Sequence, residues 1–375
     1  MKLSVIIVSY NVRYFLEQCI LSVQDAIRAI DAEIIVIDNN SSDQSYTILN
    51  SKFPEVIFVK NEENVGFAKA NNQAASIAKG EYLCILNPDV VVASDTFIDI
   101  INQAESLPNA GLVGPRLIDG TGNFLPESKR NIPSPLTSFR RLFGIKLSKV
   151  KNYYADHVSE TEVGDVDILV GAFFVVKREL YRSINGFDED YFMYGEDIDL
   201  SYKIKKNGYQ NYYLGNLVSV HYKGESTDRN AKYVRRFYGA MRVFYRKHFK
   251  SNVVLDFMVS TAIRIISLVQ SLRNFDKEKR KIDQYYLVSS DMGLCEDLSK
   301  ILDKNIEIYR TVNQEDLGDQ NIEIIFDNNC MTFGEIIEQM QFLKRNTVTF
   351  KIRPKNCNYI LGSDFKDGKG EIKIF

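Results

Sequence analysis

Four short polar clusters interrupt an apolar N-terminal stretch: Ser9-Tyr10-Asn11, Asp38-Asn39, Asn64-Val65-Gly66 and Asn87-Pro88-Asp89. The last stands between Cys84-Ile85-Leu86 and Val90-Val91-Val92, so an amide and a carboxylate sit at the tip of a hydrophobic run. Pro88 donates no backbone hydrogen bond and pushes Asn87 out of helical geometry. A carboxylate and an amide so placed suit a hard cation, Mg2+ or Mn2+, which takes a few protein oxygens and fills its other positions from phosphates. No Walker A loop is present, and no GxGxxG follows the first apolar run, which argues against a P-loop NTPase or a nicotinamide enzyme. A diphosphate held through a metal without a glycine cradle points to a nucleotide-sugar.

The clusters need a frame that brings them together. "LSVIIVS" (3–9), "EIIVID" (33–38), "VIFVK" (56–60) and "YLCIL" (82–86) read as strands, with helices between them over about 13–29, from the 39–45 turn to about 52, and over about 67–79. A further helix is expected over about 94–106. This alternation predicts an α/β layer with a mostly parallel central sheet. Each polar cluster then follows the carboxyl end of a strand, where parallel sheets bind ligands. Residues 107–165 read as loop-rich, with Pro108, Pro115, Pro126, Pro133 and Pro135 as punctuation. "DILVGAFFVVKREL" (167–180) reads as a strand broken by Gly171 and then a helix start; short strands are expected at "NYYLG" and "VSVHY", with a helix over about 196–206.

Composition limits the remaining choices. The 375 residues carry a net charge of −2, so global charge says nothing about nucleic acid, and no nucleic-acid partner is expected. The five cysteines (Cys19, Cys84, Cys295, Cys330, Cys357) form no CxxC pair and read as reduced thiols of a cytoplasmic protein. The N-terminus enters a strand directly, without a secretory leader, and no window offers the roughly 18 apolar residues of a membrane span. Basic runs at 128–155 and 223–250 read as solvated helix faces.

Five motifs in order carry a resemblance: "SVIIVSYN", "VIDNNSSD", "NVGFAKANNQA", "LNPDV" and "GFDEDYFMYGEDIDL". Over about residues 3–225 the chain resembles a family 2 glycosyltransferase of the GT-A fold, most closely the bacterial rhamnosyltransferase-like branch. The resemblance implies an inverting, metal-dependent enzyme. Its nucleotide-diphospho-sugar donor would meet Ser9, Tyr10, Asn11, Asp38 and Asn39, with Asn64, Gly66 and Asn72 framing it. Asn87 and Asp89 occupy the position of the family's Asp-x-Asp metal motif, and His221 that of a histidine some relatives use on the metal or diphosphate. Glu196-Asp197 matches the acceptor-side acidic pair, with Asp197 as the base that takes a proton from the attacking hydroxyl. Lys203 stands where the family usually has arginine, and Asp199, two residues beyond Asp197, is expected to be structural. A dTDP-rhamnose donor and a glycan or lipid-linked acceptor of surface polysaccharide are the implied substrates. A sugar-nucleotide-forming nucleotidyltransferase and a non-catalytic nucleotide-sugar-binding protein are the alternatives.

The organisation expected is a catalytic domain over 1–228, divided near 115 into nucleotide-binding and acceptor halves. A helical segment over 229–275 and a small α/β domain over 276–375 follow. For the helical segment there are two readings: docking on the cytoplasmic membrane face, or packing on the catalytic domain or a dimer partner. The tail bears a vague resemblance to the half-Rossmann sensor domain beside some sugar-transfer enzymes, and reads as an interaction or regulatory module. Oligomeric state is left open.

Overall fold

A computed structural model describes residues 1–133, 153–223, 231–249, 280–365 and 369–375. Strands β1 (Leu3–Ser9), β2 (Ala32–Asp38), β3 (Ile57–Lys60) and β4 (Tyr82–Leu86) alternate with helices α1 (Arg13–Ala26), α2 (Ser45–Lys52) and α3 (Phe67–Ile77). β1 is buried at all seven positions, as a Val/Ile-rich strand covered on both faces must be. β4 is followed by β5 (Val90–Val91), α4 (Thr96–Ser106), β6 (Ala110–Ile118), β7 (Lys129–Arg130), β8 (Val163–Val166), β9 (Ile168–Leu169) and β10 (Phe173–Lys177). α5 (Arg178–Ser183), α6 (Glu196–Lys206), β11 (Gln210–His221) and α7 (Ala231–His248) complete this part.

The main sheet runs β3-β2-β1-β4-β10-β6-β11-β5, with β8 on the flank of β11. β3, β2, β1 and β4 are parallel, β10 is antiparallel to β4 and β6, and β6 and β11 are again parallel. The sheet is therefore α/β and mixed, with its β3-β2-β1-β4 half parallel as expected.

Two expectations need correction. Residues 107–165 are not simply loop: β6, nine residues long, lies in the middle of the sheet. Pro115 hid it, because proline cannot donate to a ladder. The structure accommodates it where the register with β11 slips, between Leu214↔Pro115 and Val218↔Arg116. The same slip explains why "NYYLG" and "VSVHY" are one irregular strand instead of two. The second correction concerns charge. Lys129 and Arg130 are buried in β7, not on a solvated helix face, and Lys129 Nζ donates to the carbonyls of Ala155 (2.9 Å) and Val158 (2.7 Å).

A second sheet is built from β12 (Gln284–Val288), β13 (Ile306–Tyr309), β14 (Ile322–Asp327), β15 (Val348–Arg353), β16 (Tyr359–Gly362) and β17 (Glu371–Ile374). Its order is β13-β12-β14-β15-β16-β17, with α8 (Met292–Leu302) and α9 (Phe333–Leu343) on its faces. α9 opens with a reciprocal capping box between Thr332 and Glu335. One buried cluster runs through both sheets: Val12, Phe15, Val91, Ile118, Val220 and Tyr222 pack with residues that include Phe326, Ile336, Met340 and Leu361. Tyr14 and Tyr359 meet edge-on across this junction at 4.7 Å. The boundary expected near 276 lies outside the described residues, as does the helical reading beyond 249. All five cysteines are free.

Candidate active site

The carboxyl ends of β1 and β2 are stapled side by side. Asn39 N–H donates to Ser9 O at 2.8 Å. Asn11, in the left-handed region at φ 55, accepts Ser42 N–H on Oδ1 at 2.7 Å and donates its own N–H to Ser41 Oγ at 3.0 Å. Tyr10 is exposed at the rim. Asp38 is buried; Oδ2 accepts Ser41 N–H at 3.1 Å, while Oδ1 and Ser9 Oγ are buried without hydrogen-bond partners. Buried polar atoms are normally satisfied, so these two atoms are open to a ligand or a water.

Asn39 is fully engaged. Its Oδ1 accepts from Asn61 Nδ2 (3.0 Å) and Val65 N–H (3.1 Å), and its Nδ2 donates to Asn64 Oδ1 (3.0 Å) and Gly66 O (3.3 Å). Asn64 Oδ1 also accepts Gly66 N–H at 3.0 Å, which folds the turn. Gly66 has φ 89, and a Cβ there would lie 2.6 Å from Phe192 O. Asn72 is engaged too: Oδ1 accepts from Tyr181 OH (2.7 Å) and Phe187 N–H (3.1 Å), and Nδ2 donates to Phe187 O (2.9 Å) and Glu189 Oε1 (3.0 Å). Asn39 and Asn72 therefore shape the crevice by fixing loops, with their hydrogen-bonding capacity given to protein.

The strand-tip cluster meets the distant histidine. β5 pairs with the end of β11, His221 opposite Val90, and Tyr222 N–H donates to Asp89 O at 3.1 Å. His221 Nε2 lies 3.3 Å from Asn87 Nδ2 and 3.4 Å from Asp89 Oδ1, and both Asp89 and His221 are buried. These are long for hydrogen bonds. Cis ligands of an octahedral ion bound at 2.0–2.1 Å lie about 3 Å apart, so a carboxylate oxygen and an imidazole nitrogen at this spacing fit one divalent cation.

The acidic pair opens α6. Gly195 precedes it at φ 83, a backbone shape that suits glycine, and the helix N-terminus favours Glu196, Asp197 and Asp199 in its first turn. Asp197 is buried and saturated with donors. Oδ2 accepts Arg130 Nη2 at 2.5 Å and Gly171 N–H at 3.0 Å, and Oδ1 accepts Ile198 N–H at 2.8 Å. Glu196 is different. Oε2 is buried without a partner, and burial first, then the neighbouring Asp197, push its carboxyl up to about 8. Asp199 faces other partners: His248 Nε2 at 2.6 Å, Tyr191 OH at 3.4 Å and Lys203 Nζ at 3.4 Å. Lys203 also donates to Gly186 O at 2.7 Å.

One turn links the two centres. Asn87 N–H donates to Ala172 O at 2.8 Å, and Gly171 N–H, the residue before, donates to Asp197. The sequence reading missed Arg130. Nothing in its spacing marks it, because its partner is 67 residues away.

Comparison with known proteins agrees with this architecture. Residues 4–184 match the family model described as glycosyl transferase family 2. The chain is 26% identical over 243 residues to an N-acetylglucosaminyl-diphospho-decaprenol L-rhamnosyltransferase of Mycobacterium tuberculosis, covering 61% of this chain and 78% of that protein. It is 28% identical over 223 residues to the rhamnosyltransferase WbbL of Escherichia coli K12, covering 56% and 75%. Among solved structures it resembles GalNAc-T7, crystallised with UDP, GalNAc and Mn2+, at 20% identity and a TM-score of 0.50. That likeness concerns the fold; it covers 65% of this chain and about half, 48%, of the neighbour. Motif order, sheet and family match converge: the N-terminal half of this chain is a family 2 glycosyltransferase domain.

Proposed function

We propose that the chain transfers a sugar from a nucleotide-diphosphate donor to a hydroxyl of a lipid-linked or glycan acceptor in surface polysaccharide synthesis, with inversion at the anomeric carbon. The observation that carries this reading is the Gly171-Ala172 turn, which joins the Asn87–Asp89–His221 cluster to the Asp197 carboxylate. A leaving-group site and a proton-accepting site thus lie on one rigid piece of backbone.

In this reading Ser9, Tyr10, Asn11 and Asp38 meet the nucleotide, on loops fixed by Asn39, Asn64, Gly66 and Asn72. Asp89 and His221 would hold Mg2+ or Mn2+, with Asn87 beside them, and the ion supplies charge neutralisation for the departing diphosphate. Asp197 takes the acceptor proton as the hydroxyl oxygen bonds to C1 and the C1–O bond to the diphosphate breaks. A single displacement with one base inverts the centre. The rhamnosyltransferase relatives support a deoxysugar donor such as dTDP-rhamnose, and the decaprenol-linked substrate in one relative's name supports action at the membrane's cytoplasmic face. Among the described residues no helix is long and apolar enough to cross a membrane.

The test is nucleoside diphosphate release from a panel of nucleotide-sugars with Mn2+ or Mg2+, with Asp89→Ala and Asp197→Asn as folded controls. Metal-dependent release from one donor, lost in both variants, supports the reading. Pyrophosphate release from a nucleoside triphosphate and a sugar phosphate would replace it with nucleotidyl transfer.

A further inference from the structure

The acidic pair has two carboxyls and, among the described residues, one guanidinium bonded to them. Arg130 is held at several points, with its Nε buried but unpartnered: its backbone pairs with Ile168 in β9 and with Tyr154, Nη2 donates to Leu169 O at 3.2 Å, and Nη1 donates to Tyr153 OH at 3.3 Å. Its contact with Asp197 is the shortest of these, at 2.5 Å, between side chains only 8% and 11% exposed. Asp197 therefore sits among three donors, whereas Glu196 Oε2 has none. The Arg130 charge offsets only part of the burial at Glu196, and the buried Tyr191 phenol of the preceding loop, whose proton is held chiefly by burial and by Asp199 and Asp188, lies within electrostatic reach. A second uncompensated negative charge in such a site is removed by keeping a proton.

We infer that Arg130 is the positioning residue of the acidic pair: it holds Asp197 as the ionised carboxylate that accepts the acceptor's proton, and leaves Glu196 as the pair's neutral member. This rests on the glycosyl-transfer reading above and assigns the two carboxyls different tasks within it. The acceptor hydroxyl gives its proton to Asp197, its oxygen forms the bond to C1, and the C1–O electron pair leaves with the diphosphate. Neutral Glu196 adds no negative charge beside that leaving group and keeps an O–H donor available to a sugar oxygen.

The test uses the full chain. Arg130→Ala lowers kcat by about 10²-fold or more with donor KM little changed, and Arg130→Lys, which keeps the charge but not the fork, restores part of it. Wild-type turnover falls above about pH 8 as Glu196 ionises. Glu196→Gln lowers neutral turnover by about tenfold and abolishes that alkaline limb. Infrared spectroscopy reads the proton independently of turnover: a protonated-carboxyl band present at pH 7 titrates away near pH 8 and is missing from Glu196→Gln. An Arg130→Ala enzyme with wild-type kcat and pH profile overturns the inference, as does a band that survives in Glu196→Gln. If wild-type protein neither binds nor turns over any nucleotide-sugar, the glycosyl-transfer reading falls, and the infrared band still decides where the proton resides.

Discussion

His248 Nε2 lies 2.6 Å from Asp199 Oδ1, and this contact pins the end of α7 to the helix that carries the acidic pair. Asp199 is 1% exposed, so its charge needs the partner. The same helices pack through Ile198, Ala240, Met241 and Phe244. Removing the imidazole leaves a buried carboxylate short of a donor. His248→Ala is expected to cost about 1–3 kcal/mol, read as a lower denaturant midpoint. Metal-free nucleotide binding, assigned under the proposed function to the β1 and β2 loops, stays unchanged. A variant that melts like wild type would mean that the contact contributes nothing.

At the strand tip, Asp89→Ala is expected to abolish Mn2+-dependent binding of nucleoside diphosphate, and His221→Ala to weaken it by about tenfold or more. Calorimetric titration with and without chelator reads both. Metal-free nucleotide binding, which the proposed function places on the β1 and β2 loops, stays at the wild-type level. Equal binding by all three proteins in Mn2+ would remove the metal from this position.

Glu196 makes stability depend on pH in a defined direction. Its carboxyl is raised from 4.5 to about 8 in the folded chain. Between those values the unfolded chain has released a proton that the native state retains, so stability falls as pH rises through this window, and the full cost is present above about pH 8. Glu196→Gln removes the dependence. It is expected to be more stable than wild type at pH 8 and about equal to it at pH 4.5. Denaturant melts at the two pH values make the comparison. The gain accompanies lost turnover, as a site that holds a costly group for function should behave.

Gly66→Ala places a methyl against the Phe192 carbonyl and forces a strained φ. The expected cost is about 1–3 kcal/mol. Phe67 N–H also donates to Phe192 O at 2.8 Å, so the change loosens the loop before the acidic pair. Donor KM and acceptor-dependent kcat should therefore both worsen, by steady-state kinetics.

Local patterns revealed the parallel half of the fold because each β1–β4 strand is a short apolar run closed by a polar turn. α6 spans Glu196–Lys206, in agreement with the helix expected over about 196–206. The antiparallel insertions were harder. Pro115 made a central strand look like loop, and the slip opposite it divided β11 into two apparent strands. The site shows the same split. Asp38, Asn87 and Asp89 are legible because they end strands. Arg130 is not, because what defines it is a partner brought close only by the complete fold. Asn39 and Asn72 carry the motif's residue types, yet their bonds go to loops, a distinction that residue identity alone does not encode.

The hydrophobic cluster shared by the two sheets has a thermodynamic consequence. Val91, two residues after Asp89, and Val220, next to His221, are in the same packed cluster as Ile324 and Phe326 of β14. Segments that share a core open together, so protection is transmitted where packing is continuous. Loading the strand tip with Mn2+ and nucleoside diphosphate should therefore slow amide hydrogen exchange in β14 as well as in β5 and β11. The same linkage makes the C-terminal sheet a reporter: its exchange rate registers whether the distant crevice is filled.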